Sequence, residues 1–195
     1  MRTVKITDVR HNIMEAAIRL FAEKGFFTTR VEDIARRARV AKGTVYLYFK
    51  DKPSLYVGII DHNFQDAITM LKQIRDQDRP AEEKLAIVAR DWLKYMGRFR
   101  LQLDMTVFNN LNLTKTIMRK FHQQAVLRIQ EIHALLADII RQGVDRGEFR
   151  AIDPVIAAHC FLNMIQSLFT VHMFLPGIKG AERGIYEIFM KGLKK

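Results

Sequence analysis

Between Thr29 and Lys52 the sequence TRVEDIARRARVAKGTVYLYFKDK gathers hydroxyls, phenols, cations and a glycine at helical spacing. These groups suit duplex DNA: cations and phenols bond phosphate oxygens, and side chains central on an exposed helix face reach base edges in the major groove. Thr29 and Arg30 open a helix, where N–H groups and the helix dipole draw a phosphate; Thr29 can equally cap that helix and Arg30 be solvated. Lys42, Gly43 and Thr44 begin another helix. Gly43 permits close backbone approach, while Lys42 and Thr44 can reach base edges or phosphate. Tyr46 and Tyr48 are either packing aromatics or phenol donors to phosphate. Leu47 can neither donate nor accept a hydrogen bond, so it is a scattered surface apolar residue or a contact to a thymine methyl. Lys52, at the start of a further helix, is the foremost candidate for a phosphate.

The elements that must hold these groups are short helices. Thr29 followed by Glu32 predicts a capping box, and Val31, Ile34, Ala35 and Ala38 recur at i, i+3, i+4 and i+7. Arg36, Arg37 and Arg39 leave that stripe. Val45 and Phe49 then share one face of the next helix, with Thr44 and Tyr48 on a different face. Upstream, Thr7 or Asp8 is expected to cap a first helix whose stripe is Ile13, Ala16, Ala17, Leu20 and Phe21, with Gly25 as its stop. The result is a three-helix bundle with Phe21, Ile34, Val45 and Phe49 in its core, in which the second and third helices form a helix-turn-helix.

AAIRLFAEKGFFTTRVEDIARRARVAKGTVYLYFKDKPSL resembles the N-terminal DNA-binding domain of the TetR/AcrR family of bacterial transcription regulators. The resemblance rests on LFAEKGF, on T-x-V-x-DIA and on KGTVYxYFxxK, in that order and without a gap. It covers the first quarter of the chain. It implies a larger helical ligand-binding and dimerisation half, and phosphate contacts by the aromatics at Tyr46 and Tyr48. The family usually has glycine where Arg39 stands and Ser or Thr where Ala41 stands. If Arg39 has positive φ it is strained, and the third helix lacks a side-chain cap.

Beyond residue 50 the periodicity predicts more helices, about nine in all, and an all-α fold. Asp51 caps a helix carrying Leu55, Ile59, Ile60, Phe64, Ile68 and Leu71. Glu82 to Met96 forms another, punctuated by Gly97, and a short helix follows over 98–113. A long helix from Thr116 to Val144 presents Ile117, Phe121, Ile129, Ile132, Leu136 and Ile140, and ends at Gly143 and Gly147. Asp153-Pro154 starts a helix apolar nearly all round, which must be covered on two sides. Pro176-Gly177 ends it before a last amphipathic helix. Two domains are expected, 1–50 for DNA and 51–195 for ligand and dimerisation. The candidate ligand pocket comprises Phe64, Trp92, Met96, Met105, Phe108, Met118, Phe121, His122, Gln166, Phe169, His172 and Met173, a set suited to a large apolar effector. The surplus apolar surface of the last two helices predicts a homodimer through Phe161, Ile165, Leu168, Ile185, Ile188 and Phe189.

Composition narrows the function classes. The formal charge is +11, and residues 1–52 carry +6 of it in about a quarter of the chain, an electrostatic footprint for a polyanion. An anionic membrane surface is the competing partner, but the most apolar segment, 155–175, is interrupted by six polar residues and no membrane span is expected. There is no G-x-S-x-G, P-loop or H-E-x-x-H, so no enzyme is expected. The six histidines show no metal-ligand spacing, and neither metal nor cofactor is expected. Cys160 is the sole cysteine, expected buried, and the N-terminus lacks an apolar signal region; both suit the cytoplasm. The leading expectation is a dimeric repressor released from a palindromic DNA operator by a small ligand, with an activator or a ligand-independent regulator as variants.

Overall fold

Short polar residues start some of the helices in this chain, and left-handed residues end some of them. Both devices are visible in the computed structural model, which describes residues 6–100, 115–174 and 180–194. Among these residues lie eight helices and no strand: α1 (Ile6–Lys24), α2 (Val31–Ala38), α3 (Lys42–Tyr48), α4 (Lys52–Arg75), α5 (Ala81–Arg100), α6 (Lys115–Asp145), α7 (Pro154–Phe174) and α8 (Ala181–Leu193). The fold is all-α. Most of the short helix expected over 98–113, and the Pro176-Gly177 stop, lie outside the described residues.

Asp51 caps α4 through a bond from the Ser54 N–H at 2.7 Å, and Asp153 caps α7 through a bond from the Val155 N–H at 2.8 Å. Gly25 ends α1 with φ +82°. Other expected punctuation is overruled. α1 already runs at Ile6, so neither Thr7 nor Asp8 starts it, and α5 continues through Gly97 to Arg100. α6 also continues through Gly143, whose missing side chain has a packing role: a Cβ there would collide with the Phe149 ring and the Ala81 Cβ.

The chain divides into two compact units, Met1–Asn63 with Gly97–Ala125, and Phe64–Met96 with Val126–Lys195. In the first, Ile13, Ala17, Leu20 and Phe21 of α1 are buried together with Ile34 of α2, Val45 of α3 and Leu55, Tyr56 and Ile59 of α4. All four residues expected in the bundle core are buried. Phe21, Phe26 and Tyr56 stack edge-on or tilted with ring centroids 5.2–6.0 Å apart, a favoured aromatic arrangement.

The second unit buries Leu71, Leu85, Val88 and Trp92 with Ile132, Leu136, Ile139 and Ile140 of α6, and Phe161, Leu162 and Ile165 of α7. Ile129, expected on the same stripe of α6, is exposed. The second unit also buries a lysine. Lys84 is 1% exposed, and its ammonium donates to the Arg75 carbonyl and to Gln142 Oε1, both at 2.7 Å. It joins the last turn of α4 to α6, and its burial lowers its pKa.

Candidate nucleic-acid interface

The turn between α2 and α3 is built on one strained residue. Arg39 has φ 57° and ψ 42°, its N–H bonds the Arg36 carbonyl at 3.2 Å, and the Val40 N–H bonds the Ala35 carbonyl at 3.0 Å. This is a Schellman closure, which asks for a left-handed residue where arginine has a Cβ penalty. Ala41 is the N-cap of α3 and offers no side-chain acceptor. The helix therefore depends on tertiary packing of Val45 and Phe49, both buried.

At about 100° per residue, Leu47 stands opposite the direction midway between Val45 and Phe49. It is 84% exposed. Gly43, one turn earlier on the same ridge, is exposed, and no heavy atom lies within 4 Å of a Cβ placed there. Tyr46 is exposed on one flank, and Thr44 and Tyr48 are half-buried on the other. Lys42 forms an ion pair with Glu32 of α2 and lies 6.0 Å from the Tyr46 ring centroid. The hydrogen bond from Lys42 holds the Glu32 carboxyl below its ordinary range and raises the lysine. Both partners are exposed, so an approaching phosphate can displace the carboxylate at small cost.

Two expected phosphate ligands face inward instead. Thr29 is 1% exposed, and its hydroxyl donates to the carbonyls of Gly25 at 2.7 Å and Leu20 at 3.3 Å. The capping box with Glu32 is not formed: Arg30 is the N-cap of α2 and gives no side-chain bond. A hydroxyl turned toward carbonyls at the end of α1 bonds those acceptors, a use that competes with capping. Lys52 is likewise occupied. Its ammonium donates to the carbonyls of Phe26 at 2.7 Å, Thr29 at 2.9 Å and Phe27 at 3.3 Å, and lies 4.4 Å from the Phe26 ring centroid. Partial burial lowers its pKa. Lys52 is thus a staple holding the α1–α2 loop to the start of α4. Arg30 remains exposed at the open end of α2.

Of the side chains expected to line a ligand pocket, four are described. Trp92 is buried in the core, Phe64 is half-buried against it and Gln166 is exposed. His122, in the first unit, is exposed. Met105 and Phe108 lie outside the described residues, and so do the side chains of Met96, Met118, Phe121, Phe169, His172 and Met173. The expected dimer contacts need correction as well. Phe161, Ile165, Leu168 and Phe189 belong to the core, with the Phe161 and Phe189 rings 5.0 Å apart. Ile185 is half-buried, and Ile188 is 67% exposed. A helix apolar all round leaves its two sides indistinguishable by pattern, and the series chosen from sequence is the inward side.

The outward apolar surface of α7 starts earlier, at Val155 and Ile156, which are 58% and 62% exposed. With Ile129, His133 and Ala134 of α6 and with His159 they line a groove of about 640 Å³. Two of its lining residues, His133 and His159, form a hydrogen-bonded row with Asn163. His133 Nδ1 lies 2.8 Å from the Ile129 carbonyl, His159 Nδ1 lies 3.3 Å from His133 Nε2, and Asn163 Nδ2 lies 3.1 Å from His159 Nε2. No sequence signal marks this pair, because its members are 26 residues apart on different helices. Cys160, expected buried, is exposed. A second cavity of about 310 Å³ lies among Ala86, Ala89, Ile165, Leu168 and Ile185, with Arg90 and Arg183 on its wall. Among the described residues no group of three metal-ligating side chains occurs, and no helix is long and apolar enough to cross a membrane.

Residues 13–59 match the sequence profile described as bacterial regulatory proteins, tetR family, and residues 81–175 match that of the tetracyclin repressor-like C-terminal domain. An HTH-type transcriptional regulator of Staphylococcus aureus is 34% identical over 136 residues, 70% of this chain and 69% of that one. The fatty acid metabolism regulator protein of Bacillus subtilis is 25% identical over 159 residues, 81% of this chain and 80% of that one. The fold is similar to the crystal structure of the transcriptional regulator FadR from Bacillus subtilis in complex with stearoyl-CoA. The TM-score is 0.68 at 22% identity, covering 93% of this chain and 98% of that one.

Proposed function

The chain belongs to the TetR family of bacterial regulatory proteins and is a DNA-binding transcriptional regulator; on that premise we propose that it is a homodimeric repressor of a palindromic operator, released by a largely apolar effector. Residues 1–50 form the reading head, and residues 51–195 bind the effector and dimerise, in the cytoplasm. The observation that carries this reading is the division of α3 into a buried side, Val45 and Phe49, and an outward ridge of Gly43 and Leu47 flanked by Tyr46 and Thr44. Arg30, Lys42, Thr44, Tyr46 and Tyr48 dock on phosphates and base edges. Thr29 and Lys52 shape the loop that presents them.

Two copies place two recognition helices about one helical turn of DNA apart, roughly 34–36 Å. The dimer contact uses Val155, Ile156 and Ile188, apolar side chains of α7 and α8 left outside the core. The effector acts by favouring a dimer whose recognition helices no longer match that spacing. The Bacillus subtilis relative crystallised with stearoyl-CoA supports testing long-chain acyl compounds first.

The experiment is fluorescence anisotropy of the purified chain on DNA flanking its own gene, in moderate salt, titrated with acyl-CoA esters, free fatty acids and apolar aromatics. Specific binding reversed by one class is the expected result. Absence of specific binding to any fragment removes the reading. Light scattering of Ile156→Glu tests the dimer face: a shift to monomer is expected, and an unchanged mass rejects that assignment.

A further inference from the structure

We propose that Leu47 reads the C5-methyl group of a thymine in each operator half-site, with Gly43 letting α3 come close enough for that contact. The inference rests on the DNA-binding reading above and adds a base identity to it.

Leu47 is 84% exposed at the pole of α3, opposite buried Val45 and Phe49. Nothing among the described residues covers it, so its place is not explained by the core. A leucine cannot bond a phosphate or a donor or acceptor on a base edge. The apolar feature that the major-groove floor presents is the thymine methyl. An α-helix with its side chains is roughly 10–12 Å across, and the major groove is about 12 Å wide. The helix nearly fills the groove, so a narrow leading ridge brings its backbone closer to the base edges. Gly43 provides it, one turn from Leu47, and a Cβ built there meets nothing of the protein within 4 Å. Glycine is thus not required at 43 by packing inside the chain; it keeps the leading ridge thin. Tyr46 and Lys42 beside the ridge supply phenol and ammonium donors for the backbone, so base reading by Leu47 and docking by its neighbours occupy separate groups.

The test begins by selecting duplexes for the full chain from a random pool at moderate salt. Each thymine of the selected operator is then replaced in turn by deoxyuridine, which removes only the methyl group. Affinities are measured for the wild type, Leu47→Ala and Leu47→Gln. For the wild type, one thymine in each half-site is expected to lose about four-fold per methyl, equivalent to about 0.8 kcal/mol for a buried methyl-sized group. Both variants are expected to bind more weakly and to be insensitive to deoxyuridine at that position, with other positions unchanged and with wild-type melting temperature. Identical deoxyuridine profiles for all three proteins overturn the assignment while leaving DNA binding intact. Failure to select any duplex overturns the DNA-binding reading itself, and this inference with it.

Discussion

Replacing Lys52 by methionine keeps the aliphatic stem and removes the ammonium that ties residues 26–29 to α4. Three carbonyls lose a donor, those of Phe26, Thr29 and Phe27 at 2.7, 2.9 and 3.3 Å. The two shorter bonds are each worth about 1 kcal/mol net, the lower end being appropriate for a half-exposed ammonium. The third is too long to count for much. The contact with the Phe26 ring, 4.4 Å from its centroid, adds about 0.5 kcal/mol. Desolvation of the ammonium, which lowers its pKa, offsets part of this. The net expected loss is about 2 kcal/mol, or about 4–8 °C in melting temperature for a chain of this size. Calorimetry measures the stability, and operator affinity against salt measures the phosphate contacts. Each phosphate contact contributes about 0.9 to the slope of log K on log salt. A staple predicts lower stability with an unchanged slope. Unchanged stability with a slope smaller by about 0.9 per protomer would show that Lys52 holds a phosphate, and would refute the reasoning.

Arg39→Gly is expected to stabilise the free protein by about 1 kcal/mol, since φ 57° suits glycine, and to weaken DNA binding through loss of a cation; unchanged affinity and salt slope remove the second half. Lys84→Ala leaves the Arg75 carbonyl and Gln142 Oε1 without their buried donor and should cost about 3 kcal/mol in urea unfolding. A cost below about 1 kcal/mol would mean water replaces the ammonium. The Tyr186 phenol is pushed up to about 12 from its ordinary value by burial and then by the Glu82 charge, while its hydroxyl donates to the Glu82 carbonyl at 3.0 Å. The unfolded chain therefore loses this proton first, and stability should fall as pH rises from 10 to about 12. Tyr186→Phe should flatten that fall, measured by urea midpoints across the window; an equal fall in both proteins excludes Tyr186 as its source.

The candidate site was legible to different degrees for physical reasons. Gly43, Thr44, Tyr46, Leu47 and Tyr48 could be placed because seven residues of regular helix fix angles about one axis, and two large apolar residues mark the buried side. Arg39 could be flagged as strained because the family that the sequence resembles usually has glycine there, and the structure gives it φ 57°. Thr29 and Lys52 could not be oriented. A hydroxyl or an ammonium near a helix start serves solvent, phosphate or carbonyls equally well by local pattern. Their actual acceptors, the carbonyls of Leu20, Gly25, Phe26 and Phe27, come from the end of α1 and the loop after it. In α7 the difficulty was different: with apolar residues on every side, periodicity carries no direction, so Phe161 and Ile165 could not be separated from Val155 and Ile156.

By itself the sequence determined the all-α class, the helix-turn-helix, the concentration of positive charge over it and the side of α3 that faces outward. All of these depend on backbone geometry within one helix or on composition, and neither needs a neighbour. The tertiary structure alone decided that Lys52 and Thr29 turn inward, that Lys84 is buried, that His133 meets His159, and which side of α7 is left uncovered. Those outcomes depend on which distant acceptors and apolar groups the fold brings within a few ångströms, and such proximity is written in no local spacing.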